Sequence, residues 1–279
     1  MTAAMRELDI PGTAERITAF VKRTVAEAGF TRLVVAVSGG VDSATAVALA
    51  AAALGPGSVF ALSLPYRDWH TESDLRTERL LRQLQIPAAH IRKTDISPMV
   101  DAFVGAARLP RHTENVLVSD ELSSVRLGNI MARVRMIALF DYAKEHSALV
   151  LGTENKSEHY LGYYTRFGDE ASDIEPLRNL YKTEVYQLAE YLGIPEEIRQ
   201  ATPSAGLWPG QTDEGQFGFT YQTADRILYG LYAAKRSPGE LVEQGLDQGA
   251  IDRVQAWVAQ MAFKHHLPRM APEPVVLAE

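Results

Sequence analysis

The stretch Leu33-Val34-Val35-Ala36-Val37-Ser38-Gly39-Gly40-Val41-Asp42-Ser43 decides the fold. A short unbroken apolar run rich in valine reads as a strand buried on both faces. The alanine-rich run behind it, Ala44 to Leu54, reads as a helix packed closely on that strand. The loop from Ser38 to Ser43 therefore joins the end of a strand to the start of a helix. The first turn of a helix leaves backbone N–H groups unpaired and carries the positive end of the dipole, so this place binds anions. Gly39 and Gly40 let backbone approach a phosphate with no Cβ in the way, and Ser38 and Ser43 add hydroxyl donors. No lysine lies in the loop, which excludes the Gly-x-x-x-x-Gly-Lys-Ser/Thr phosphate loop. A carboxylate beside a polyphosphate is repelled unless a cation lies between them, so Asp42 implies Mg²⁺ bridging to phosphate. Taken alone, Asp42 is as readily a first-turn residue that complements the dipole.

Flanking segments repeat the strand–helix pattern. Ile17, Phe20, Val21 and Val25 fall at helical spacing between Thr13, which can cap the start, and Gly29, which can end it. Gly55-Pro56-Gly57 precedes a strand, Val59 to Leu64, closed by Pro65. Thr71 to Leu84 reads as a helix with Leu75, Leu80, Leu81 and Leu84 inward, and Ala89 to Thr94 as a third strand. Val104 to Asp120 reads as an irregular excursion into a long helix, Leu122 to Lys144, whose broad apolar face carries Leu127, Ile130, Met131, Val134, Ile137 and Ala138. Ala148 to Leu151 reads as a further buried strand, and helices are expected around Tyr221 to Ala234 and Ile251 to Phe263. The pattern predicts an α/β fold: an open, mainly parallel twisted sheet with helices on both faces, Rossmann-like, with ligands at the carboxyl ends of the strands. No internal repeat or linker interrupts it, so one domain is expected over residues 1 to 279, with an irregular tail from about residue 264.

Composition bounds the function. The chain has 279 residues, 46% of them hydrophobic, and a formal charge of −7. That balance argues against a nucleic-acid surface, which needs clustered Lys and Arg. There are no cysteines, which removes disulfides, thiolate metal sites and a cysteine nucleophile. No apolar segment is long enough to span a bilayer and Met1 to Asp9 has no signal-peptide core, so a cytoplasmic protein without a membrane partner is expected.

Four further places carry chemistry. On the long helix, Arg133 shares a face with Asn129, Met136 and Phe140, while Arg135 points elsewhere; an arginine among apolar neighbours needs an anion, whether a structural carboxylate or a ligand. Gly152-Thr153-Glu154-Asn155-Lys156-Ser157-Glu158 follows the strand ending at Leu151, on the side of the first loop if the strands are parallel. There Thr153 can donate to a nucleotide and Glu158 can offer a second carboxylate to the metal. The stretch 162 to 176 is too long and irregular for an idle connection. Lys182, at the start of a helix, opposes the dipole and suits a bound phosphate. A Gly/Pro-rich loop, 202 to 214, reads as a lid or as a wall on the adenine side.

The hexapeptide 38–43 resembles the Ser-Gly-Gly-x-Asp-Ser loop of the N-type ATP pyrophosphatases, which cleave ATP between its α and β phosphates. Gly128-Asn129-Ile130-Met131-Ala132-Arg133-Val134-Arg135-Met136 resembles a signature of ammonia-dependent NAD synthetases. With 152–158, 162–176, 180–185 and 202–214, six phrases stand in the order of that family and cover roughly residues 12 to 268. The resemblance implies conversion of deamido-NAD⁺, ATP and ammonia into NAD⁺, AMP and pyrophosphate through an acyl-adenylate. It implies that Ala36, Val37, Ser38, Gly39, Gly40, Val41, Asp42, Ser43, Thr153, Lys182 and Ser204 hold ATP, and that Asp42 and Glu158 hold Mg²⁺. It further implies that Arg133, Arg166, Asp173, Phe263 and Lys264 hold deamido-NAD⁺, with Arg166 reaching across a homodimer interface. Asp42, Lys182 and Asp173 are the expected catalytic residues, Asp173 orienting ammonium or taking its proton. Three residues depart from the family pattern: Arg166 stands where Lys is usual, Phe263 where a His is usual, and Glu170 where a Gly is common. No cysteine glutaminase is built into the chain, and a separate one is left open. A GMP-synthetase-like amidoligase and a non-catalytic adenine-nucleotide sensor are the alternatives.

Overall fold

The computed structural model describes residues 5–67, 69, 71–107, 121–208, 210–266 and 270–271. Four parallel strands form one sheet: β1 (Leu33–Ala36), β2 (Val59–Ser63), β3 (Ile91–Lys93) and β4 (Leu149–Leu151), in the order β3-β2-β1-β4. β1 pairs with β2 from Leu33↔Val59 to Ala36↔Leu62, and with β4 from Leu33↔Leu149 to Val35↔Leu151. All four strands run the same way, so the loops after β1, β2 and β4 open on one edge. Around the sheet lie α1 (Ile10–Glu27), α2 (Val41–Leu54), α3 (Thr71–Gln83), α4 (Ser97–Ala106) and α5 (Glu121–Glu145). Beyond β4 follow α6 (Lys156–Leu161), α7 (Lys182–Tyr191), α8 (Glu196–Arg199), α9 (Asp213–Phe217), α10 (Tyr221–Leu228), α11 (Pro238–Glu243) and α12 (Gln248–Met261).

Strand side chains alternate between faces, and the two cores follow that alternation. Leu33 and Val35 of β1, with Val59 and Ala61 of β2, bury against Val21 and Val25 of α1, Leu49 of α2 and Leu188 of α7. Val34, Phe60 and Leu62 face the other way, onto Val100 of α4 and Leu127, Met131 and Leu139 of α5. Each fully buried Val or Leu contributes roughly 1.5–3 kcal/mol relative to exposure. A third cluster, Leu161, Phe217, Ile227, Leu241, Ile251 and Val254, binds α6 and α9 to α12 together.

Several expectations are corrected. Asp9, not Thr13, caps α1: its Oδ1 accepts from Gly12 N at 3.0 Å, whereas Gly29 does end the helix at φ +77°. Leu75 and Ile137 are 52% and 61% exposed rather than inward, because each faces away from the sheet on a helix that touches it along one side. Val104 belongs to α4 rather than to an irregular segment; most of that excursion, residues 108 to 120, lies outside the described residues. The tail does not start at 264: Ala262–His265 forms a 3₁₀ turn, in which Lys264 Nζ donates to Gly162 O at 2.6 Å and to Tyr164 O at 2.7 Å.

Candidate active site

The cleft starts at the first loop. α2 begins at Val41, with Gly40 as its N-cap and no side chain capping it. Asp42 and Ser43 thus already lie in the first turn, and the amides there remain open to an anion. The serines brace the loop: Ser38 N donates to Ser43 Oγ at 3.2 Å, Ser43 Oγ donates to Gly40 O at 3.1 Å, and Gly40 N donates to Ser38 Oγ at 3.3 Å. A cavity of about 710 Å³ opens over this loop, and its walls include Ala36 to Ser43, Thr153, Glu158, Lys182 and Ser204. Every residue expected to hold ATP therefore borders one space.

At its floor three charges meet. Lys182 Nζ lies 2.5 Å from Asp42 Oδ2 and 3.6 Å from Glu158 Oε1. Asn155, the N-cap of α6, donates through Nδ2 to Asp42 Oδ1 at 2.9 Å and through its backbone N to Glu158 Oε2 at 3.1 Å. Burial pulls the Lys182 pKa down, but Asp42 and Glu158 more than reverse this and hold it above the usual lysine value. Burial, reinforced by the charge of Asp42, pushes the Glu158 carboxyl well up, against the pull of Lys182. Asp213, at the start of α9, is a third acid here: Tyr221 Oη donates to its Oδ2 at 3.0 Å and Ala205 N to its Oδ1 at 3.0 Å, which ties the 202–214 loop to the floor. Two carboxylates in one cleft match a hard divalent cation in donor type. Among the described residues no group of three or more acidic or histidine side chains forms a metal-binding cluster, so phosphate and water oxygens would complete the shell.

Of the residues expected to hold deamido-NAD⁺, Arg133, Arg166, Phe263 and Lys264 gather outside the residues that line the cavity. Arg133 is exposed and donates through Nη2 to Arg166 O at 3.1 Å; Arg166 Nη2 donates to His266 O at 3.2 Å. Lys264 is anchored beside them on the 162–176 loop, and Phe263 is 59% exposed. Asp173 stands apart, with Oδ2 accepting from Val150 N at 2.7 Å at the edge of the sheet. The adjoining bridge Ile174↔Leu151 fixes the loop to β4. On α5 the arginine that turns into the cleft is Arg135, not Arg133. Its Nε donates to Leu64 O at 3.0 Å, and burial, only partly offset by Asp169, lowers its pKa to about 10.

Sequence reasoning also missed Asp225, which is fully buried on α10. One carboxylate oxygen accepts from Ser157 Oγ, and the other from Thr183 N at 2.8 Å. Ser157 Oγ in turn accepts from Lys182 N at 2.8 Å. Asp225 thereby clamps the neighbours of both Glu158 and Lys182. Asn in its place cannot accept from both partners, so Asp225→Asn is expected to cost about 1–3 kcal/mol and to lower turnover. Burial, opposed by the Ser157 and Thr183 hydrogen bonds, raises the carboxyl from 3.8 to about 6. An acid raised on folding contributes stability that is complete below its unfolded pKa and lost as pH rises through the folded one. The Tm deficit of the variant should therefore be largest below pH about 4, shrink between pH about 4 and about 6, and level off above that. Melts across that range check it, and a deficit that grows with pH would contradict it.

With this geometry in place, the chain can be set beside known proteins. A family model described as NAD synthase matches residues 13–268. The NH(3)-dependent NAD(+) synthetase of Fusobacterium nucleatum is 36% identical over 265 residues, covering 95% of this chain and 97% of its own. That of Thermococcus kodakarensis is 40% identical over 271 residues, covering 96% and 100%. Among solved structures, an NMN synthetase from Francisella tularensis matches with a TM-score of 0.80 at 30% identity, over 95% of this chain and 99% of that one. An NH3-dependent NAD synthetase from Campylobacter jejuni, in complex with nitrate, matches with a TM-score of 0.75 at 30% identity, over 95% and 100%.

Proposed function

The chain belongs to the NAD synthase family, and from that premise we propose that it amidates deamido-NAD⁺ with ammonia, consuming ATP and releasing NAD⁺, AMP and pyrophosphate. The observation that carries this reading is the floor of the cleft, where Asp42, Lys182 and Glu158 meet beside the uncapped N-terminus of α2. A nicotinate carboxylate is a poor electrophile. It becomes reactive when one of its oxygens attacks the α-phosphorus of ATP, giving an acyl-adenylate and expelling pyrophosphate; ammonia then displaces AMP. The amides of the 40–43 turn and the Lys182 ammonium offset the charge of the leaving pyrophosphate. Arg135 adds a guanidinium to the lining of the cleft.

Asp42 and Glu158 would hold Mg²⁺, which when bound supplies charge neutralisation at the phosphates. Arg133, Arg166 and Lys264, with Phe263 beside them, are assigned to the acid substrate, and Asp173 to the ammonium nucleophile. No covalent protein intermediate is needed, so positioning and charge screening are the protein's contribution. We assign a homodimer as the working assembly; the exposed Phe103 of α4 and Val125 and Ile137 of α5 offer apolar surface for it.

The direct test incubates the protein with deamido-NAD⁺, ATP, magnesium and ammonium salt. NAD⁺, AMP and pyrophosphate in equal amounts are expected, and ADP with phosphate would reject the reading. A parallel arm with nicotinic acid mononucleotide measures discrimination against the shorter acid.

A further inference from the structure

We propose that Lys182 is a resident counter-ion that occupies the divalent-cation position while the nucleotide is absent, so that the protein admits the metal only with the triphosphate. The inference rests on the assignment of Asp42 and Glu158 as metal ligands.

All four carboxylate oxygens of that pair are engaged. Asp42 Oδ1 and Glu158 Oε2 accept from Asn155, through its side chain and its backbone N. The bond to Glu158 Oε2 belongs to the capping box of α6, in which Asn155 Oδ1 accepts from Glu158 N at 3.0 Å, and the bond to Asp42 Oδ1 ties that cap to α2. The other two oxygens, Asp42 Oδ2 and Glu158 Oε1, face the same ammonium at 2.5 and 3.6 Å. A cation that bridged the two carboxylates through these oxygens would take the place of Lys182 Nζ.

The ammonium is well held. Its side chain is 3% exposed, the Tyr221 ring lies 5.1 Å from Nζ, and the Asp213 carboxyl, which burial raises against the pull of Lys182, lies nearby. Moving it out without a new anion would strand a buried charge, at a cost that outweighs the gain from an incoming ion. A triphosphate in the cleft removes that obstacle, because its oxygens accept the withdrawn ammonium while the metal settles on the vacated carboxylates. Lysine suits this exchange: it is a compact charge on a flexible stem, where a forked guanidinium would bind the carboxylates in a fixed geometry. Thermodynamic linkage requires the effect to be mutual, so nucleotide and metal each tighten the other's binding.

The test measures Mn²⁺ binding by the loss of the free-ion electron paramagnetic resonance signal, using the full chain without nucleotide. The wild type is expected to take up no stoichiometric Mn²⁺ at submillimolar concentration. Lys182→Met should bind it at least about tenfold more tightly, and adding Asp42→Asn to that variant should abolish the gain. A wild-type site filled at submillimolar Mn²⁺ without nucleotide, and lost in Asp42→Asn, overturns the proposal even if Lys182→Met fails to fold. Equal Mn²⁺ affinity in folded Lys182→Met and wild type overturns it as well. Failure of the underlying metal assignment looks different: with ATP present, Asp42→Asn would then take up Mn²⁺ as tightly as the wild type.

Discussion

Asp42→Asn is expected to lower turnover by about 10²–10³-fold or more, with Tm within about 5 °C of wild type. Asn keeps the shape of the side chain and its place in the first turn of α2, and an oxygen remains to accept from Asn155 Nδ2. What disappears is the charge that holds Lys182 at 2.5 Å and that would anchor the cation against phosphate. Stability is spared for two reasons. Lys182 retains Glu158 at 3.6 Å, and the Asp42 charge, which after burial is the next cause of the raised Glu158 carboxyl, is removed. Single-turnover release of AMP, read beside a thermal melt, checks both parts. Turnover within a few-fold of wild type would remove Asp42 from the chemistry.

Gly39→Ala should have the next largest effect. Gly39 adopts φ +78°, where an L side chain costs about 1–2 kcal/mol, and a Cβ there would sit 2.6 Å from Ser73 O and 2.7 Å from Ser73 Cβ. The loop can relieve that contact only by moving away from α3, which shifts the amides that face the phosphates. The expected outcome is a rise of about tenfold or more in the KM for ATP, with a Tm loss of roughly 5 °C. Gly40→Ala is the control: its φ is negative and the nearest atom to a new Cβ is Ser38 Oγ at 3.4 Å. Equal impairment of the two variants would contradict the steric account.

What the sequence made legible follows from distance along the chain. The 38–43 loop is local: its strand, glycines and helix all lie within about twenty residues of one another, and the structure puts its residues on the cavity wall. The parallel sheet was readable because short apolar runs, at β1, β2 and β4, alternate with helical ones, β3 (Ile-Arg-Lys) being the polar exception. α8, α9 and α11, of four to six residues, are too short for a helical period to register. The pair Arg133 and Arg135 is more instructive. The neighbours of Arg135 at i−4, i−3 and i+4 are Met131, Ala132 and Leu139, all buried, whereas Ile137, four residues after Arg133, is exposed. Apolar neighbours alone do not separate the two, since Arg133 has Ile130, Met136 and Ile137 at helical spacing; which set is buried depends on how α5 docks on the sheet. No local signal, likewise, pairs Lys182 with Asp42 across 140 positions or sends Asp225 to Ser157 and Thr183; those contacts depend on how α7 and α10 dock.

The same docking explains why a net-negative chain builds an ATP cleft. Acidic groups gather at the floor around one buried lysine, while the uncapped turn of α2 and Arg135 supply the positive surface that faces phosphate. The overall charge of −7 thus says little about the local field, which the strand-end loops set.

The central claim is that this cleft activates a carboxylate by its attack on the α-phosphorus of ATP. Deamido-NAD⁺ labelled with ¹⁸O in its nicotinate carboxylate tests this most directly, with the products read by mass spectrometry after complete conversion in ammonium buffer. AMP carrying one ¹⁸O atom, with unlabelled pyrophosphate, is the expected result; unlabelled AMP, or label recovered in inorganic phosphate beside ADP, would contradict it.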